Sequence, residues 1–157
     1  MPKRIIVVEN KEELMDALKQ DEQAILLILE KDWDTIELSI TEALEFTKKK
    51  FQRVCYNGKD LYTGEECKEN EIVNAILGVL DYIPSEVIVS LMSMSKFNGE
   101  DLLKTIDSTT KKEDKWKIIK KALSTDAETT LNELYMKTKS IFEEVLSKLS
   151  AVVNQNG

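Results

Sequence analysis

The stretch RIIVVENKEELMDALKQDEQAILLIL, residues 4–29, sets the architecture of the first part of this chain. Arg4 to Val8 is a β-branched run, and Ala24 to Leu29 is a second continuous apolar run. Both have strand length and no polar alternation, the pattern of strands buried on both faces. Between them, Asn10-Lys11-Glu12-Glu13 has the form of a capping box, in which one side chain accepts from a helix N–H and a glutamate three residues on reaches back to another. Leu14, Met15, Ala17 and Leu18 then carry a short helix to about Gln20. Strand, helix and strand make a βαβ unit with two parallel strands.

Further on, Asp34-Thr35-Ile36-Glu37 begins another capped helix, with Ile36, Ile40, Leu44 and Phe51 on one side and Lys48 to Lys50 in its last turns, where cations suit the helix dipole. Arg53-Val54-Cys55-Tyr56 and Lys59-Asp60-Leu61-Tyr62 flank Asn57-Gly58, the short-range hairpin signal, and give a third strand and a short edge strand. After Tyr62 the strand signals stop. Thr63-Gly64-Glu65-Glu66 reads as the cap of a helix running through Ile72, Val73, Ile76, Val79 and Leu80 to Tyr82. There Pro84 forbids continuation and favours a new helical start. Val87, Ile88, Leu91 and Met92 fit a buried helix, with Val87 to Val89 open to a strand reading as well. Asp101 to Ile106 makes a short helix, and Thr110-Lys111-Lys112-Glu113 starts another that ends near Leu123.

The longest helical signal comes last. From Thr125 to Val153, apolar residues recur at Leu131, Leu134, Tyr135, Ile141, Phe142, Val145, Leu149 and Val152, a stripe on one side of an amphipathic helix. Thr125 and Glu128 form its capping box, and Glu133, Lys137, Ser140, Glu144 and Lys148 hold the opposite face. At 1.5 Å per residue such a helix is on the order of 40 Å long, so part of the stripe needs a partner within the chain or on a second copy. The expected fold is α+β in one domain over residues 1–157. An α/β part to residue 62 (βαβ unit, third strand and short hairpin) precedes a helical part that ends in one long amphipathic helix.

Composition removes function classes. The chain has 157 residues, no histidine and two cysteines. Without histidine there is no Ser-His-Asp or Cys-His nucleophile pair, no His-containing zinc site and no imidazole shuttle. Two cysteines alone cannot close a four-ligand zinc site, and so few of them point to a cytoplasmic protein. Cys55, in a predicted strand, and Cys67, at a predicted helix start where a thiolate is somewhat favoured, read as inert thiols, with a redox role as the alternative. No apolar run has the length of a membrane helix, and Ile5 to Val8 is too short for a secretory core. Between Asp60 and Asp101 nine acidic residues face only Lys68 and Lys96, which accounts for the whole net charge of −7. An acidic middle disfavours nucleic-acid binding, which rests on neutralising phosphates, and suits a protein partner with a basic surface.

Two groups of residues carry candidate contacts or chemistry. Glu30, Asp32 and Asp34 follow the second predicted strand, at the end of a sheet where ligands commonly bind, and three carboxylates can hold Mg²⁺ through oxygen. The same residues also read as a solvated strand end, a turn residue and a helix cap. No other cofactor is implied. Trp33, beside them, and Trp116, in the lysine-rich segment Lys111 to Lys121, are candidate partner-binding anchors, although each also reads as an aromatic folded onto its own chain. Leu134, Tyr135, Ile141, Phe142, Val145 and Leu149 are the candidate interface of the last helix.

The sequence therefore favours a non-catalytic cytoplasmic protein acting through protein–protein contacts, self-associating through its C-terminal helix into a homo-oligomer. The alternative is a small Mg²⁺-dependent enzyme or ligand-binding domain centred on Glu30, Asp32 and Asp34. A third reading is an acidic inhibitor that imitates nucleic acid with the stretch from Asp60 to Asp101, including Glu65, Glu66 and Glu69.

Overall fold

Ile5–Val8 forms strand β1 and Ile25–Ile28 strand β2, paired in parallel with Ile5 opposite Ile25 and Val8 opposite Ile28. Between them helix α1, Lys11–Lys19, starts as its sequence expects. The Asn10 side chain accepts the Glu13 N–H at 2.8 Å, and the Glu13 carboxylate accepts the Glu9 N–H at 3.0 Å. Strand β3, Arg53–Tyr56, pairs in parallel with β2, and β4, Lys59–Asp60, pairs antiparallel with β3, so the sheet order is β1-β2-β3-β4. The turn joining the last two holds Asn57 at φ 51° and Gly58 at φ 79°. Positive φ at both central residues matches the right-handed twist of the strands, and Asn-Gly accepts it at least cost.

In a computed structural model, the chain is described over residues 3–20, 23–29, 45, 51–94 and 111–156; in the last helix the described side chains are those to residue 141 and those of 143, 144, 147 and 148. Two compact units result, Met1–Glu71 and Ile72–Gly157. In the first, Leu14, Ala17 and Leu18 of α1 pack with Val8, Leu26, Ile28, Phe51 and Val54, on one face of the sheet. Strand alternation places Ile5, Val7, Ile25 and Leu27 on the other face, and they are equally buried. That two-sided burial is why β1 and β2 read as unbroken apolar runs. Of the helix expected from Asp34 to Phe51, only Glu45, which is helical, and the buried Phe51 lie within the described residues.

The first unit extends past Tyr62 because residues 61–68 stay tied to the sheet. Strand pairing stops at Asp60 instead of continuing to Tyr62, and Leu61 to Thr63 form a turn. The Asp60 carboxylate organises it by accepting from the Tyr62 N–H and the Thr63 hydroxyl, both at 3.1 Å. Thr63 was expected to cap a helix. Its hydroxyl instead accepts the Glu65 N–H within this turn, and helix α2 begins six residues later, as Glu69–Gly78.

In the second unit a 3₁₀ turn at Leu80–Tyr82 replaces the last turn of the helix expected to reach Tyr82. Pro84 then precedes helix α3, Ser85–Met94, which buries Val87, Ile88, Leu91 and Met92, so the strand reading of Val87 to Val89 does not apply. Helix α4 runs over Lys112–Asn156, where two helices, one ending near Leu123 and one starting at Thr125, were expected. They are joined end to end. Asp126 departs from helical geometry at φ −153° and ψ 92°, as does Thr138 at φ −125° and ψ 24°. The Ser124 and Thr125 hydroxyls donate to the Lys121 carbonyl, while the Asp126 carboxylate accepts the Thr129 N–H at 3.0 Å and the Thr129 hydroxyl at 2.7 Å. The cap is therefore Asp126 with Thr129, one residue later than the expected Thr125 and Glu128. Replacing Asp126 by alanine should destabilise the second unit by about 1 kcal/mol, the usual worth of such a cap, measured as a shift in the urea midpoint.

The 3₁₀ turn and α3 pack on α4. On α4 the buried apolar side chains among the described residues are Trp116, Ile118, Ile119, Ala122, Leu123, Ala127, Leu131 and Leu134. Polar ties add to this packing. The Lys115 ammonium, itself buried, donates to the Ile83 carbonyl at 2.9 Å, and the Ser90 hydroxyl donates to the Glu133 carboxylate at 3.0 Å. Among the described residues no helix is long and apolar enough to cross a membrane.

Candidate functional site

Strand alternation puts Arg53 and Cys55 on the same face of β3. The chain then turns at Asn57-Gly58, passes along β4 and comes back: Lys59 bridges Glu66, and the Cys67 N–H donates to the Gly58 carbonyl at 2.7 Å. This return brings Cys67 onto Cys55. The two are joined in a disulfide with 6.0 Å between their Cα atoms, which corrects their reading as separate inert thiols. No free cysteine remains. Helix α2 starts two residues later with Glu69, whose Oε1 forms an ion pair with the Arg53 guanidinium.

Cys55, Cys67 and one carboxylate oxygen of Glu69 lie within 4.8 Å of one another, and all three residues are buried. Glu69 is only 7% exposed, and its Oε2 has no hydrogen-bond partner among the described residues. The same holds for the Asn70 Oδ1 and the Tyr62 hydroxyl. A buried carboxylate oxygen without a donor is costly to keep, so the cluster is a place where an electropositive group would be stabilised. Chemically, it can interconvert between disulfide and dithiol, and in the dithiol state it gathers two sulfur ligands and one oxygen ligand. The sequence held one hint of this, two cysteines on either side of an Asn-Gly hairpin. The hint lacks the return path of residues 61–68, which depends on Asp60.

Glu30, Asp32, Trp33 and Asp34 lie outside the described residues. Trp116 is buried in the second unit, and so is Leu134. Tyr135 is 46% exposed and its neighbour Met136 75%, while Ile141 is half-buried. The side chains of Phe142, Val145 and Leu149 lie outside the described set. On the same stretch Lys139, Glu143, Glu144 and Lys148 are exposed, and they pair as Lys139 with Glu143 at 3.8 Å and Glu144 with Lys148 at 3.2 Å. Of the acidic residues between Asp60 and Asp101, Glu65 and Glu66 are exposed, whereas Glu69 is held inside by Arg53.

Comparison of the chain with protein-family models, with curated proteins and with solved structures gives no significant match.

Proposed function

We propose that this is a non-catalytic protein that works through protein–protein contacts and self-associates through the C-terminal part of α4; the disulfide withdraws the cysteine-based argument for a cytoplasmic location. The observation that carries this reading is the length of that helix relative to what packs on it. Lys112–Asn156 amounts to roughly 68 Å of helix, whereas α3, its main packing partner among the described residues of the unit, spans roughly 15 Å. The described buried side chains of α4 end at Thr138, and residues 139–156 add roughly 27 Å more. Along that extension the sequence keeps its apolar recurrence at Ile141, Phe142, Val145, Leu149 and Val152. Exposed Tyr135 and Met136 supply further apolar surface beside its start, of the kind that favours contact with another protein.

A double substitution tests the reading. Phe142→Asp with Val145→Asp should weaken homodimer formation by at least about a hundredfold, because an interface must then bury unpaired carboxylates at a cost of several kcal/mol, and each 1.4 kcal/mol is tenfold. Sedimentation equilibrium measures it, with circular dichroism confirming that helix content is kept. Unchanged association in the folded variant would remove the helix from the interface.

A further inference from the structure

We propose that the reduced form of the Cys55–Cys67 pair, together with Glu69, is a binding site for one thiophilic divalent cation of the zinc type. The inference is independent of the contact surface on α4. Three observations lead to it. The first is the ligand set: two sulfurs and a carboxylate oxygen already lie within 4.8 Å of one another in buried surroundings. Zinc takes cysteine thiolates at about 2.3 Å and carboxylate oxygen at about 2.0–2.2 Å, and a tetrahedral arrangement sets two sulfurs roughly 3.7 Å apart. A Cα separation of 6.0 Å suits that spacing as well as it suits the disulfide, so side-chain rotation is enough to pass between the two. Three protein ligands leave a fourth position for water, the open arrangement that zinc also accepts.

The second observation is the Glu69 carboxylate itself. It is nine-tenths buried, and its Oε2 has no hydrogen-bond partner among the described residues, although Arg53 holds Oε1. A cation bound by this carboxylate would offset the cost of burying its charge. The third is charge. Two thiolates, one carboxylate, one divalent cation and the Arg53 guanidinium sum to zero, so the loaded site buries no net charge. Arg53 is then the group that orients a ligand from behind, as partners of metal ligands commonly do.

Loading requires reduction first. A dithiol reductant gives two electrons and two protons to the disulfide. Its own sulfurs become a disulfide, and Cys55 and Cys67 become thiols. The cation then replaces the two thiol protons, which leave to solvent. The loop closed by the disulfide is closed again through the metal, so the fold of the first unit survives in a reducing compartment with the cation as its staple.

The experiment uses the full chain, reduced, freed of reductant without oxygen, and titrated with Co²⁺ as a spectroscopic probe and with Zn²⁺ as competitor. The expected result is one Co²⁺ per chain with a thiolate-to-cobalt charge-transfer band, displacement by Zn²⁺, and no binding by the oxidised chain. Glu69→Gln should keep the sulfur band and weaken binding at least tenfold. A reduced chain that takes up no stoichiometric cobalt overturns the proposal. So does equal affinity in Glu69→Gln, which would reduce the site to two thiolates. Circular dichroism covers the case in which reduction unfolds the first unit: recovery of structure on adding Zn²⁺ supports the site, and failure to recover overturns it.

Discussion

Replacing Asp60 by alanine should destabilise the first unit by roughly 3–5 kcal/mol, a large share of the 5–15 kcal/mol that typical folds possess. Asp60 is 3% exposed, and its carboxylate accepts from three donors: the Val54 N–H at 3.2 Å, the Tyr62 N–H and the Thr63 hydroxyl. Truncation leaves the Val54 N–H buried without an acceptor and releases the turn that sends the chain back toward β3. Asparagine keeps one oxygen for the two backbone donors but sets an amide against the Thr63 hydroxyl, so Asp60→Asn should cost about 1–2 kcal/mol. Urea unfolding measures both values, and amide exchange should show protection at Val54 and Tyr62 falling most. An alanine variant within 1 kcal/mol of the wild type would mean that the turn is held by other contacts.

The second large effect is on the disulfide. Cys55 and Cys67 are 12 residues apart, and opening a loop of that size returns entropy to the unfolded chain worth about 3 kcal/mol. The variant Cys55→Ala with Cys67→Ala should therefore lower the stability of the first unit by about that amount, with some addition for the small void left where two buried sulfurs stood. The readout is the urea midpoint of the oxidised wild type against the variant, in buffer without metal. Asp60 and the disulfide restrain the same loop. Combining the two changes should cost less than the sum of the single effects, because a loop already released cannot be released twice. Strict additivity would show that the carboxylate and the sulfurs act on separate parts of the structure.

These two sites also show what the sequence carries and what it leaves to tertiary structure. β1, α1 and β2 were legible because each signal is local: Asn10 and Glu13 lie three residues apart, and the apolar runs are continuous. Asn57-Gly58 was legible for the same reason, since the turn type is written in two adjacent residues. Thr63-Gly64-Glu65-Glu66 carries an equally good local cap signal, yet the helix starts at Glu69. Asp60 recruits the Thr63 hydroxyl, and the disulfide holds Cys67 against β3. A cap that competes with a buried carboxylate and a covalent tether loses. The cluster of Cys55, Cys67 and Glu69 was out of reach because its residues meet only after the chain has doubled back. The sequence divides helix α4 in two on the capping pattern of Thr125 and Glu128, beside the polar run Ser124-Thr125-Asp126. The structure uses that run to join them, with hydroxyls closing one helical segment and Asp126 opening the next.

The proposed role of α4 rests on association in solution, and the absolute mass of the chain tests it most directly. Light scattering coupled to size exclusion, over a tenfold concentration range and at two salt levels, should give a homodimer that persists at high salt, because an apolar stripe is little affected by screening. A monomer at high micromolar concentration under both conditions would contradict the account.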